Sequence, residues 1–239
     1  AGCEGEVPLA KATACGFGVI FAIAPSPAAA GVVWVGTDNG RVQRTGDGGT
    51  TWQDVTPAGL ADWSKVNTID ASATDSATAY LAVDRHRLDD NRPIAFRTHD
   101  AGATWTEIGH GLPEGGWVGV VRQDPKTPGL LFAGTSRGVY VSFDDGEGWQ
   151  SVQLGLPTTG VNDLLVHGND LIGATQGRGL WVLDGIQHLR DLNTVYPAGG
   201  PALFPPPLAY RVRGNQNKDT PLPPEEPRAS NPPVGAVFD

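Results

Sequence analysis

Three stretches of this chain align without gaps: Thr45-Gly-Asp-Gly-Gly-Thr-Thr-Trp52, Thr98-His-Asp-Ala-Gly-Ala-Thr-Trp105 and Ser142-Phe-Asp-Asp-Gly-Glu-Gly-Trp149. They share the pattern Ser/Thr-x-Asp-x-Gly-x-x-Trp, and we call them the aspartate turns. A run with the alternation of a β-strand precedes each stretch and a further short strand follows it, so each is predicted to be a hairpin turn. A unit that recurs in this way indicates a repeat architecture, and the three turns therefore decide the fold.

The residue types of the aspartate turns fit a structural purpose. A short carboxylate can accept hydrogen bonds from backbone N–H groups of its own loop. A glycine two positions later supplies a positive φ, and the tryptophan is expected to bury its ring between neighbouring sheets. We interpret these aspartates as groups that hold the turn together rather than as catalysts. The structural residues so predicted are Asp47, Trp52, Asp100, Trp105, Asp144 and Trp149.

Two further strands precede each turn, which gives units of four strands. The first unit is predicted over Gly18–Val55, the second over Val66–Ile108 and the third over Val118–Val152. A fourth unit, Gly160–Leu183, has three strands and lacks the aspartate turn and its tryptophan. Four antiparallel strands form one blade of a β-propeller, so the fold class predicted is all-β, a propeller with about four visible blades.

The spacing of the turns supports this interpretation. Asp144 follows Asp100 by 44 residues, within the blade length of about 40 to 50. Asp100 follows Asp47 by 53 residues, and the excess lies in Asp84–Arg92, between the second and third strands of the second blade. We call Asp84–Arg92 the insertion.

The domain organisation predicted has three parts. Residues 1–16 form an N-terminal segment of unclear structure, 17–190 the blades, and 191–239 a Pro-rich extended linker that holds most of the 20 prolines. Two arrangements of the blades are open: part of a larger ring, which we favour, or four blades that close alone. A partial ring leaves apolar sheet faces uncovered, and the remainder of the ring or a following domain is then an expected partner.

Composition excludes several function classes. The net charge of −9 disfavours nucleic acid, since phosphate binding needs a basic surface. No apolar run reaches the roughly 20 residues of a transmembrane helix. No Cys/His metal spacing, phosphate-binding Gly loop or nucleophile elbow is found, so no metal and no cofactor are predicted. Cys3 and Cys15 either form a disulfide, as in an exported protein, or remain thiols.

The motifs resemble a known group of repeats. The aspartate turns are similar to the BNR or Asp-box repeats of sialidases, VPS10 (sortilin) domains, xyloglucan-degrading glucanases and the photosystem II assembly propeller. The closest resemblance is to large exported bacterial proteins with sortilin-like propellers, often labelled glycosyl hydrolases. Further matching segments are Val83–Asp90, Gly138–Gly146, Gly179–Asp184 and Asn231–Val237. The resemblance implies rings of seven or more blades and an extracellular or periplasmic location, and it says little about activity.

The connectivity of the blades locates a candidate ligand face. Strands alternate in direction, so the aspartate turns lie on one face, and the turns between second and third strands, with the inter-blade connections, lie on the other. The predicted ligand-binding residues on that other face are Asp38, Trp63, His86, Trp117, Arg137 and Arg178. A plainer alternative is that the charges of the insertion pair internally, Asp84 with Arg85 or Arg87 with Asp89.

Two functions are compatible with these residues. The favoured one is a non-catalytic interaction module that binds a protein or carbohydrate on the face opposite the aspartate turns. The alternative is a glycoside hydrolase, which needs two placed carboxylates. The catalytic candidates are Asp84 with Asp89 or Asp90. A sialidase would instead need an arginine triad and a Tyr–Glu pair, and none of the four tyrosines lies in such a setting.

Overall fold

A computed structural model describes residues 3–195 and Phe204. The chain divides into two units, Ala1–Asp184 and Gly185–Asp239. The first unit contains every strand of the described residues, and the second contains helix α2 (Gln187–Val195). Of the predicted Pro-rich linker, the described residues include only 191–195, which form the end of α2, and Phe204. None of the helices in the described part of the chain has the length and apolar character needed to cross a membrane.

Fifteen strands are found within the described residues, and they form four antiparallel sheets that follow one another along the chain. The first sheet contains β1 Ile20–Pro25, β2 Val33–Thr37, β3 Val42–Thr45 and β4 Gln53–Asp54. The second contains β5 Lys65–Ala71, β6 Ala79–Arg85, β7 Asp90–Thr98 and β8 Thr106–Glu107. The third contains β9 Val118–Gln123, β10 Leu131–Thr135, β11 Gly138–Ser142 and β12 Gln150–Ser151. The fourth contains β13 Val161–His167, β14 Asp170–Thr175 and β15 Leu180–Leu183.

Each sheet is a simple meander in which consecutive strands pair. The first three sheets have four strands and the fourth has three, as the repeat in the sequence predicts. This confirms the all-β propeller fold, with four blades in the described part of the chain. The insertion forms a short 3-10 helix, His86–Leu88, at the tip of the hairpin between β6 and β7.

One irregularity recurs at the same register in all four blades. The innermost strand pairs with the second strand, but the register shifts by one residue near its start. One residue of the innermost strand is thereby left without a partner, as in a β-bulge, which re-aims its side chain. The four bulged residues are Phe21, Asn67, Gly119 and Asn162.

The aspartate turns are closed by local hydrogen bonds. In the second turn, the backbone N–H of Thr104 donates to Asp100 Oδ1 (2.9 Å) and the Thr104 hydroxyl donates to Asp100 Oδ2 (2.6 Å). The hydroxyl of Thr98 accepts from the N–H of Gly102 (3.0 Å) and donates to Asp100 Oδ1. The first turn makes the same bonds. The third turn has Gly148 in place of the threonine, so its backbone N–H bond is present and the hydroxyl bond is not.

Blades pack through apolar clusters between neighbouring sheets. One cluster joins the first two blades around Trp34, Val42 and Ile69, and a second joins the second and third blades around Tyr80 and Val121. Trp105 and Trp149 pack against these clusters, as predicted from the sequence. Trp52 does not, and its side chain is exposed, because no blade precedes the first one within the described residues.

The N-terminal segment contains helix α1 (Leu9–Ala12) and a 3-10 turn (Thr13–Cys15). Cys3 and Cys15 form a disulfide, which resolves the choice that the sequence leaves open.

Candidate functional site

A depression of about 550 Å³ lies on the propeller face opposite the aspartate turns. Residues from the innermost strands of three blades line it, together with the insertion and the turn after β14. The side chains that matter below are Phe21, Lys65, Asn67, Asp84, His86, Arg87, Trp117, Asn162 and Gln176. We call it the central depression.

The recurring bulge explains why these side chains converge. Three of the four bulged residues, Phe21, Asn67 and Asn162, line the central depression. The fourth is Gly119, where a Cβ atom would lie only 2.6 Å from the carbonyl oxygen of Val161 and would also collide with the Trp117 ring. Glycine at this position lets Trp117 and the fourth blade approach closely.

Asp84 is a buried carboxylate fixed at the wall of the depression. Its Oδ1 accepts from the backbone N–H of His86 (3.0 Å) and lies 2.6 Å from His86 Nδ1, and its Oδ2 lies 3.2 Å from Lys65 Nζ. Burial by itself raises the pKa of Asp84, but the hydrogen bonds from His86 and Lys65 outweigh it and hold the pKa below its ordinary value. Asp84 is therefore an ionised, positioned group.

Aromatic rings complete the walls. The rings of His86 and Trp117 lie 6.0 Å apart between centroids, inclined by 34°. Lys65 Nζ sits 4.6 Å from the centroid of the Phe21 ring, a cation–π contact in addition to its ion pair with Asp84. Two of the charges in the depression, those of Lys65 and Asp84, thus satisfy each other.

Three polar side chains of the depression have no such partners. The side chains of Arg87, Asn162 and Gln176 make no hydrogen bond or ion pair with any other described residue, and all three are exposed. Two amides and one guanidinium around Trp117 can donate and accept hydrogen bonds and can pair with an anion. These groups are free to contact a ligand.

Arg122 links three blades, and its partner Asp163 lines the central depression. Its guanidinium contacts Asp70 Oδ1 on β5 (3.1 Å) and Asp163 Oδ1 on β13 (2.8 Å), and it also donates to the carbonyl of Leu164 (2.9 Å). Arg122 lies on β9, so one side chain links the innermost strands of the second, third and fourth blades. The three strands that it links each carry one of the bulged residues.

The remaining carboxylates of the insertion lie elsewhere. Asp89 and Asp90 line a separate depression of about 630 Å³ with Glu107 and His110. Asp90 is held by Arg92 and Arg85, with Oδ2 at 2.8 Å and 3.0 Å from their nitrogens, and hydrogen bonds from Arg92 above all keep its pKa well below the ordinary range. Charges of the insertion do pair internally, as the plainer alternative expects, but the pairs are Asp90 with Arg85 and Arg92. The pairing of Asp84 with Arg85 is wrong, because Asp84 pairs with Lys65 and His86, and no ion pair joins Arg87 to Asp89 among the described residues.

The sequence-predicted site residues fall into two groups. His86 and Trp117 line the central depression together with Asp84, whereas Asp38, Trp63, Arg137 and Arg178 are not among its lining residues. Asp38 accepts a hydrogen bond from the N–H of Val19 (2.7 Å), which anchors the start of the first blade. Trp63 has a positive φ of 63° in the connection between the first two blades.

Sequence reasoning missed several residues of the depression, chiefly Lys65, Asn67, Asn162 and Phe21. A signal for two of them exists in the sequence. Val66-Asn67 and Val161-Asn162 place an amide at the same point of two innermost strands. Aligning the blades strand by strand, beyond the aspartate turns, would have drawn attention to this position.

Comparison with known proteins supports the fold. No family model matches the chain, and no curated protein sequence matches it. Solved structures do match. YCF48 bound to D1 peptide has a TM-score of 0.51 at 18% identity, over 70% of this chain and 51% of the YCF48 chain. A GH74 xyloglucanase from Xanthomonas campestris has a TM-score of 0.54 at 17% identity, over 70% of this chain and 29% of the enzyme.

A GH74 enzyme from Niastella koreensis has a TM-score of 0.50 at 20% identity, covering 68% of this chain and 22% of the enzyme. The chain therefore spans about half the length of the YCF48 chain and less than a third of either enzyme. At such identities the likeness shows the propeller fold alone.

Proposed function

We propose that this protein is a non-catalytic interaction module whose central depression binds an extended polypeptide segment of a partner protein. One observation carries the proposal: Arg87, Asn162 and Gln176 surround Trp117 on the ligand face without partners among the described residues. Unpaired donors and acceptors that converge on an aromatic ring are the usual composition of a binding site.

A polypeptide fits these groups. The amides of Asn162 and Gln176 can each donate to and accept from a peptide backbone, which exposes the complementary pair in every residue. The Arg87 guanidinium can pair with an acidic side chain, and Trp117 offers a flat apolar surface to a neighbouring side chain. YCF48, a propeller of similar fold, is named as bound to a peptide, and this supports the choice of ligand class.

A carbohydrate ligand with hydrolysis is the second candidate, and the named activity of the xyloglucanase neighbour favours it. The carboxylates argue against it. A glycosidic general acid needs a raised pKa, whereas the pKa of Asp84 is lowered by its hydrogen bonds. Asp89 and Asp90, the partners considered for it, line a different depression.

We further propose that the module works outside the cytoplasm. The disulfide between Cys3 and Cys15 supports this location, because such bonds persist in oxidising compartments.

Binding measurements on matched variants test the proposed function. Arrayed peptides and oligosaccharides identify a ligand, and calorimetry then compares Arg87→Ala and Asn162→Ala with the control variants Arg178→Ala and Asn91→Ala. The controls remove the same residue types from positions that do not line the central depression. We expect each site variant to weaken peptide binding by about tenfold or more, the usual effect of an interface hot spot.

The outcome that would replace this function is also specific. Release of reducing sugar from a β-glucan by the parent chain, lost in Asp84→Asn, would establish the hydrolase in its place. Equal peptide affinities for the site variants and the controls would remove the central depression as the binding site.

A further inference from the structure

The innermost strands show which blade faces are covered. The residue two positions after each bulge points back towards the preceding blade. Ile69, Val121 and Leu164 hold this position in the second, third and fourth blades, and all three are buried. Ile23 holds it in the first blade and is 64% exposed. The first blade thus presents, uncovered, the same apolar position that its three successors bury.

The third strands show the opposite side of the same contact. Each third strand has one apolar residue that faces the following blade. In the first three blades this residue is buried, and it is Val42, Ala95 and Val139 in turn. The equivalent residue of the fourth blade is Leu180, which is 76% exposed. The register establishes the equivalence, because Leu180 pairs with Ala174 as Val42 pairs with Gly36.

These two positions meet at each internal junction. Val42 and Ile69 belong to the buried cluster between the first two blades, and Ala95 and Val121 belong to the next cluster. Val139 and Leu164 line one cavity between the third and fourth blades. The exposed face of the fourth blade and the exposed face of the first blade are therefore the two halves of a contact that the chain already makes three times.

We propose that the first blade of one copy packs against the fourth blade of a second copy, so that two copies close one ring of eight blades. Rings of about four to eight blades are typical, and two copies of four reach that range. With both junctions formed, neither apolar face remains in water, and the head-to-tail contact ends in a closed pair instead of a growing chain.

The proposed contact between copies involves the first three strands of each blade. The fourth blade has no outer strand in the described residues. At two internal junctions the carbonyl just after that strand, of Val55 or Ile108, accepts a hydrogen bond from the tryptophan of the next blade. Ile23 and Leu180 are accordingly the residues on which the association depends, and both lie outside the set that we assign to ligand binding.

Sedimentation of the full chain tests the proposal. We expect a particle of about twice the 25.0 kDa mass of one chain. Ile23→Glu and Leu180→Lys should each weaken the association by at least about tenfold, since each places a charge in an apolar junction. Leu88→Lys is the control, because Leu88 is also an exposed apolar residue (43%) and lies on the insertion, away from both junction faces. Circular dichroism checks that every variant folds.

Mixing the two variants distinguishes a head-to-tail pair from other pairs. A mixed pair has one unmodified junction, and in the other the introduced carboxylate faces the introduced ammonium, so association should return on mixing Ile23→Glu with Leu180→Lys. A monomeric parent chain, or association that survives both variants, would overturn the proposal. So would a pair disrupted by Ile23→Glu and untouched by Leu180→Lys, which would show that two first blades meet. None of these outcomes alters the peptide-binding test.

Discussion

The indole N–H of Trp149 donates a hydrogen bond to the backbone carbonyl of Ile108, 2.7 Å away, across the junction between the second and third blades. Trp105 makes the same bond to the carbonyl of Val55 across the preceding junction, also at 2.7 Å. Trp52 is the corresponding residue of the first blade, is 42% exposed, and has no such acceptor among the described residues. The tryptophans of the second and third aspartate turns thus link their blades to the blade before.

Replacing these tryptophans should therefore have unequal effects. Trp149→Phe keeps an aromatic ring but removes the donor, and we expect it to lower the free energy of unfolding by about 1 to 2 kcal/mol, because the carbonyl of Ile108 loses its partner. Trp52→Phe is the matched control and should change stability by less than about 0.5 kcal/mol. Denaturant unfolding measures both, and similar losses in the two variants would refute the link.

The third aspartate turn offers a gain of stability. It has Gly148 where the other turns have Thr51 and Thr104, so Asp144 Oδ2 lacks the hydroxyl donor found at 2.7 and 2.6 Å in the other two. A Cβ atom on Gly148 would lie 3.2 Å from that oxygen, and the exposed carboxylate can shift slightly to accommodate it. Gly148→Thr should raise the melting temperature.

The same difference in hydrogen bonds predicts how much stability is lost when each aspartate is replaced. Asp100→Ala should lower the melting temperature more than Asp144→Ala, since it removes the acceptor of one additional hydroxyl. Differential scanning calorimetry compares the variants, and peptide binding should be unchanged in both. Loss of binding without a change in melting temperature would contradict the structural interpretation of these aspartates.

Acid should weaken the turns within a defined pH window. Hydrogen bonds from Thr51 lower the pKa of Asp47 to about 2, and those from Thr104 do the same for Asp100, from an ordinary value of 3.8. A folded-state pKa below the unfolded value contributes stability that is complete above pH 3.8 and is lost as the pH falls towards 2. Melting temperatures across this window should fall less steeply for Asp100→Asn than for the parent chain, and parallel curves would contradict the assignment.

Gly119 should not tolerate a side chain. A Cβ atom on Gly119 would lie 2.6 Å from the Val161 carbonyl oxygen and 2.9 Å from the Trp117 ring. Gly119→Ala should cost about 1 to 3 kcal/mol by overpacking and should displace Trp117 from the depression. Gly46→Ala is the control, because the nearest atom there is the end of the flexible Arg44 side chain at 3.8 Å. Unfolding measurements and Trp fluorescence follow the two effects.

Much of the fold could be predicted from the sequence, and less of the site. The four blades, the three-stranded last blade and the position of the aspartate turns between third and fourth strands follow from local patterns. The central depression depends on which bulged residues meet across blades, and Asn67 and Asn162 are separated by almost a hundred residues of chain. His86 and Trp117 can be placed on this face from the sequence, because the insertion and the inter-blade connections are visible in it.

The sequence by itself determined the repeating unit, because the bonds that close each aspartate turn join residues at most four apart, as from Thr98 to Gly102 and from Asp100 to Thr104. Only the tertiary structure decided that Asp84 pairs with Lys65 instead of Arg85, and that Trp52 is exposed while Trp105 and Trp149 are not. Both outcomes depend on how strands pair and on which blades are neighbours. Burial and ion pairing depend on such long-range contacts, whereas a hairpin turn needs only its own residues.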